Sequence, residues 1–119
     1  MAAGPVTWSE SLAVAARSQA LEMALLKKMG HRDSLDRGLA ERLRTLGYRF
    51  NSAVENVAVG YPTLDAVVDA WIASEGHCEN LMNPAVIEFG LACIDGNASG
   101  SPGESRYWAL VLGAPRRLR

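Results

Sequence analysis

The last third of the chain constrains its fold most. Two runs, "AVIEFGLACI" (85–94) and "RYWALVLG" (106–113), are rich in β-branched and aromatic residues, and "DGNASGSPGES" lies between them. Runs of this make-up, bounded by Gly, Ser and Pro, read as strands. They are expected to pair as a hairpin with a long loop. Such a hairpin must bury at least one face, so the rest of the chain has to cover it.

Three helical patterns precede the hairpin. In "TWSESLAVAARSQALEMALLKKMG", Thr7 and Glu10 have the spacing of a capping box. Leu12, Ala16, Ala20 (or Gln19), Met23 and Leu26 then recur at helical spacing. The alanines favour helix and permit close packing. Lys27 and Lys28 suit the last turn, and Gly30 suits the position after it. His31 follows where the chain turns. A second helix fits "SLDRGLAERLRTLG", capped by Ser34, with Leu35, Leu39, Leu43 and Leu46 as its stripe and Gly47 as its end. "YRFNSAVENVAVGY" has no helical period and reads as extended chain or loop. A third helix starts near Thr63, places Leu64, Val67, Val68 and Trp71 on one face, and runs out near Ser74 to Gly76. Asn83 and Pro84 mark a turn. The order predicts an α+β fold, with helices layered against a small antiparallel sheet.

The 119 residues suit one domain, 1–119, and 49% hydrophobic content allows it a core. A net charge of −1 argues against a nucleic-acid partner. The apolar runs fall short of the roughly 20 residues that cross a bilayer. The basic tail "APRRLR", with Arg116, Arg117 and Arg119, reads as a solvated end. "MAAGPVTWSE" has no signal-peptide pattern. "NAS" at Asn97 to Ser99 matches a glycosylation sequon, a triplet common by chance.

Chemistry concentrates in "SEGHC", Ser74 to Cys78, and in two distant residues. His31, Glu55, Glu75 and His77 sit at element ends or in extended chain. Two histidines with a carboxylate match the donors of a zinc or copper site and also suit acid–base work. His31 and His77 are too far apart for a local motif, so only the fold can bring them together. The plain reading is that each caps nearby backbone. Glu55 and Asn56 interrupt an apolar stretch. A buried carboxylate there needs a protonated His or backbone N–H groups as partners. Cys78 beside His77 could be an activated thiol. The expected alternative is a Cys78–Cys93 disulfide, worth about 3 kcal/mol in the entropic picture.

Taken in order, "VTWSESLAVAARSQALEM", a His after the helix, "GYRFNSAVENVAVG", "VVDAWIASEGHCENLMNP", "EFGLAC" and "YWALVLGAP" closely resemble the CAP superfamily. This is the family of cysteine-rich secretory proteins, antigen 5 and pathogenesis-related proteins, also called SCP-like extracellular proteins. The resemblance runs from about Val6 to Pro115 and is nearest to bacterial members. It implies an α-β-α sandwich with the antiparallel sheet between helices, and the match begins after the family's first helix. It also implies a cleft lined by His31, Glu55 and His77. The family's second glutamate position is occupied by Ser74. Glu75 is one residue later, about 100° around a continuing helix.

The implied function is an exported, secreted or periplasmic protein whose cleft binds a small molecule, lipid or peptide, or a divalent metal such as zinc on His31 and His77. The alternative is a metal-assisted hydrolase on peptide or cell-envelope substrates, with Glu55 as base and His31 or His77 as ligand or acid. A missing first helix would expose apolar surface and favour a homo-oligomer.

Overall fold

The computed structural model describes residues 6–96 and 105–116. The sequon at Asn97 to Ser99 and the tail's Arg117 and Arg119 lie outside them. In chain order the elements are β1 (Thr7–Trp8), α1 (Glu10–Leu26), α2 (Leu39–Thr45), β2 (Phe50–Val59), α3 (Leu64–Ala73), α4 (Glu75–Leu81), β3 (Glu88–Asp95) and β4 (Arg106–Pro115). The fold is α+β, a four-stranded sheet between two helical layers, with strand order β1-β3-β4-β2.

The hairpin forms as the sequence predicts: β3 and β4 pair antiparallel from Glu88↔Gly113 to Asp95↔Arg106. β2 is the extended segment of "ENVAV" and pairs antiparallel with the other side of β4. The sheet is mixed rather than antiparallel throughout. Thr7 and Trp8 form a short strand parallel to β3, where Thr7 N–H donates to the Ile87 carbonyl and Ser9 N–H to that of Phe89.

β4 is central and buried on both faces, which is why its sequence is continuously apolar rather than alternating. Tyr107, Ala109 and Val111 pack with Leu12, Ala16, Ala20 and Met23 of α1 and Leu43 of α2. Trp108, Leu110 and Leu112 pack with Val67 and Trp71 of α3 on the other face. The alanines of α1 let its backbone come close to the sheet. Gly90 of β3 completes this contact, because a Cβ there would lie 2.1 Å from Ala13 N.

Several helix boundaries differ from expectation, each for a local reason. Thr7 is held in β1, so Ser9 caps α1 and its Oγ accepts from Leu12 N–H at 3.2 Å. Lys27, at φ 52°, takes the left-handed closing position expected of Gly30. Leu26 is exposed. α2 starts at Leu39 and Gly38 caps it. The stretch before it is a turn organised by Asp33, which accepts from Leu35 N–H and Arg37 N–H. Ser34 is therefore not a cap, and Leu35 stays exposed. Gly47 does end the helix, at φ 80°. Thr63 caps α3 as expected, accepting from Ala66 N–H at 3.1 Å.

At Ser74 the backbone opens to φ −96°, ψ 123°, closing α3 and starting α4. This one-residue break sets the direction of "EGHC".

Candidate functional site

β2 is an edge strand, and its consecutive residues Glu55 and Asn56 point to opposite faces. Glu55 faces α1 and α2. Its side chain is 1% exposed and engages Arg42 through both oxygens, Arg42 Nη1 to Oε1 at 2.9 Å and Nη2 to Oε2 at 2.7 Å. His31 Nδ1 lies 3.0 Å from the same Oε1. An ionised carboxylate only accepts, so Nδ1 carries the proton and Nε2 is left for another partner. The His31 side chain is 53% exposed.

The His31 segment is held by buried side chains. Gln19 Nε2 donates to the Gly30 carbonyl at 2.7 Å and the Arg32 carbonyl at 3.1 Å. Arg42 Nη1 donates to the His31 carbonyl at 2.9 Å. Three successive carbonyls are thus tied down around an imidazole whose outer edge is free.

Asn56 is fully buried on the other face. Its Nδ2 donates to the His77 carbonyl at 3.1 Å, and its Oδ1 accepts from Asn80 Nδ2 at 2.9 Å. This amide pair ties α4 to the sheet. His77 and Ser74 face a hollow of about 230 Å³ shared with Met29, Val57, Tyr61 and Trp71. His31 borders a second hollow of about 350 Å³ with Met29, Lys28 and Asp33. Met29 lines both hollows.

The candidate residues therefore separate into roles. His31 and Glu55 are in direct contact. His77 and Ser74 share the neighbouring hollow. Glu55 lies beneath His31 with both oxygens engaged, so it supports the cleft rather than lining it. As the general base of the hydrolase alternative it is badly placed. Glu75 turns to a separate groove between α3 and α4, with Ile72, Cys78 and Met82.

The expected disulfide is absent, and Cys78 and Cys93 are free thiols. Cys78 faces that groove, whereas Cys93 stands exposed on β3 opposite Trp108. Burial pushes the Cys93 thiol up, and Asp95 adds to this against the opposing Arg106 charge. For Asp33, burial pushes upward, but hydrogen bonds from Arg37 and Leu35 outweigh it and hold the carboxyl below its usual range.

Arg42 is the residue of the candidate site that sequence reasoning missed. A buried Glu55 was expected to need a protonated His or backbone donors. The stronger partner was a charge beside Leu43 on the inward side of α2. Asn80, three residues before the Asn83–Pro84 turn, spends its side chain on Asn56.

Among the described residues, no helix is long and apolar enough to cross a membrane. The architecture recurs in solved structures. An outer surface protein of Borrelia burgdorferi matches with a TM-score of 0.83 at 19% identity, over 96% of this chain and 80% of that one. An extracellular protein containing an SCP domain from Bacillus anthracis (strain Ames) gives 0.81 at 22% identity, over 93% of this chain and 34% of that one. These are likenesses of fold, of a helix–sheet–helix domain. In sequence, 91 residues are 29% identical to the uncharacterised protein YkwD of Bacillus subtilis (strain 168), covering 76% of this chain and 35% of that protein's length. Residues 2–112 match the CAP family of cysteine-rich secretory proteins, and the chain belongs to that family.

Proposed function

We propose that this CAP domain acts outside the cytoplasm and binds a small ligand in the cleft bordered by His31, Ser74 and His77, with His31 as its principal polar contact. The observation that carries this reading is the His31–Glu55 contact at 3.0 Å, backed by Arg42. It orients the imidazole and leaves Nε2 for an outside group. Trp71, Tyr61, Val57 and Met29 offer an apolar wall beside it. The complementary ligand has an apolar body and one polar group, as a lipid or a short peptide does. Export is supported by the outer-surface and extracellular descriptions of the matched structures.

A divalent ion would find His31 and His77 and take the rest of its shell from outside. Among the described residues, no three His, Cys, Asp or Glu side chains gather to hold a metal. That donor set is too thin for a tightly held resident ion, which commonly has three or four protein ligands. Zinc titration by calorimetry on wild type, His31→Ala and His77→Ala tests it. Weak binding lost in both variants is expected, and binding unchanged by either substitution removes the metal from this cleft.

The hydrolase reading has one observation in its favour: an imidazole held by a carboxylate has the geometry of a general base. The base is then His31, with Glu55 orienting it. A screen on peptide and cell-envelope substrates, with and without chelator, decides this reading. Activity that survives in His31→Gln rejects it. The ligand reading is tested by NMR with amphipathic fragments. Hits that shift the His31 and His77 ring signals support it, and hits confined to other surfaces sink it.

A further inference from the structure

We propose that a second site, built by Arg44, Arg49 and Arg116 at the junction of α2, β2 and β4, binds a phosphate ester. These three arginines, with Gly47, Tyr48 and Phe50, line a hollow of about 490 Å³. It is larger than either hollow beside the histidines and falls within the range of small-molecule sites, roughly 300–1,000 Å³.

The arginines come from three separate stretches, and the fold gathers them. Arg44 is in the last turn of α2. Arg49 precedes β2. Arg116 follows β4, and its N–H donates to the Arg49 carbonyl at 2.9 Å. Arg116 is thus held by its backbone at this hollow, where the sequence suggested only a solvated tail.

Their charges also differ from those of Arg32, Arg37 and Arg42. Arg32, Arg37 and Arg42 pair with Asp36, Asp33 and Glu55. Among the described residues, Arg44, Arg49 and Arg116 have no carboxylate partner. Three cations around one hollow repel one another, and an anion relieves that repulsion. The overall charge of −1 does not weaken this argument, because the field in a hollow is local.

The floor is firm. Tyr48 and Phe50 stack at 6.3 Å with 16° between their planes. The Tyr48 hydroxyl donates to Glu88 at 2.8 Å, and its ring closes over Gly113. Arg44 lies over the Phe50 ring at 5.8 Å, a contact that consumes none of its N–H donors. In the last turn of α2 the carbonyls of Arg42, Leu43 and Arg44 accept from the N–H groups of Leu46, Gly47 and Tyr48. Planar forks around one centre suit a multiply charged tetrahedral anion better than a single carboxylate. The volume leaves room for the organic part of an ester beside the aromatic pair.

The test uses isotope-labelled full chain at low ionic strength. Inorganic phosphate and glycerol 3-phosphate are titrated into wild type, Arg49→Gln/Arg116→Gln and His31→Ala. All the altered side chains are exposed, and circular dichroism checks folding. Saturable shifts at Arg44, Arg49 and Phe50 are expected. Affinity should fall about tenfold or more in the double variant, since charged hydrogen bonds are removed, and should not change in His31→Ala. Arg116→Glu should abolish binding. Cosedimentation with phosphatidylglycerol vesicles separates a lipid headgroup from a free ester as the source. No saturable binding to either phosphate or vesicles, or equal binding in the double variant, overturns the proposal.

Discussion

Arg42 and Glu55 meet through two parallel hydrogen bonds, 2.9 and 2.7 Å, with side chains only 6% and 1% exposed. Such a pair gains little over an apolar substitute, but half of it is costly, because a lone buried charge has nowhere to go. Arg42→Met should cost about 3–5 kcal/mol of unfolding free energy. Arg42→Met/Glu55→Leu should recover much of that loss. Urea unfolding of the two variants decides it, and a single variant within about 1 kcal/mol of wild type would contradict the account.

His31 touches the same carboxylate from the solvent side. Its removal leaves Arg42 in place on both Glu55 oxygens. His31→Ala should therefore cost only about 1 kcal/mol while abolishing ligand contacts in the cleft. Thermal unfolding beside a binding assay separates the two effects. A loss of stability as large as that of Arg42→Met would make His31 a structural residue.

Gly90 lies where α1 crosses β3. A methyl group there meets the Ala13 nitrogen and the Leu12 carbonyl carbon at 2.1 and 2.2 Å. Main chain cannot rotate away as a side chain can, so α1 would have to lift from the sheet. Gly90→Ala should cost about 3 kcal/mol or more. Denaturant unfolding measures this, and a near-neutral result would mean that the helix slides freely.

Asp33 has a carboxyl held below the ordinary value of about 3.9. The folded state therefore binds its proton less readily than the unfolded state. Its contribution to stability is complete above the unfolded value and is lost as pH falls through the folded one. Asp33→Asn should be less stable than wild type at neutral pH, and the gap should narrow below pH of about 4. Unfolding curves across that range check the sign. A gap that widens on acidification would refute it.

Both cysteines should titrate as thiols in denaturant, in protein purified without reductant. Finding none until reductant is added would restore the disulfide. Because burial raises the Cys93 thiol, its alkylation in the native state should need a higher pH than that of an ordinary cysteine thiol. The pH–rate profile of a Cys78→Ser variant reads this directly.

Much of the frame was legible because it rests on local pattern. Thr63, Gly47 and the Asn83–Pro84 turn carry their signals within a few residues, and the β4 run reads as a strand with at least one face to bury. What was not legible depends on distant partners. Thr7 looks like a helix cap until Ile87 and Phe89, some eighty residues on, draw it into a strand. Ser34 looks like a cap until Asp33 takes the local N–H groups for a turn. Arg42 lies among charges on a short helix, where an arginine usually reads as solvated. Only its position beside Leu43 turns it inward, toward a glutamate 13 residues away. His31 and Glu55 were identifiable as candidates through the family resemblance, while their ranking, one exposed and one enclosed, required the fold.

The alternation of Glu55 and Asn56 along β2 also bears on how the chain reaches its native state. β2 lies at the margin of the sheet, where a strand can most easily dock one residue out of step. A shift of one residue would present the amide to Arg42 and drive the carboxylate toward the His77 carbonyl. The guanidinium would lose its counter-charge and two acceptors would be pressed together. Neighbouring apolar residues such as Val57 and Ala58 discriminate poorly between the two alignments, since both fit a greasy surface. The dipeptide that supports the histidines thus also penalises a misaligned edge strand.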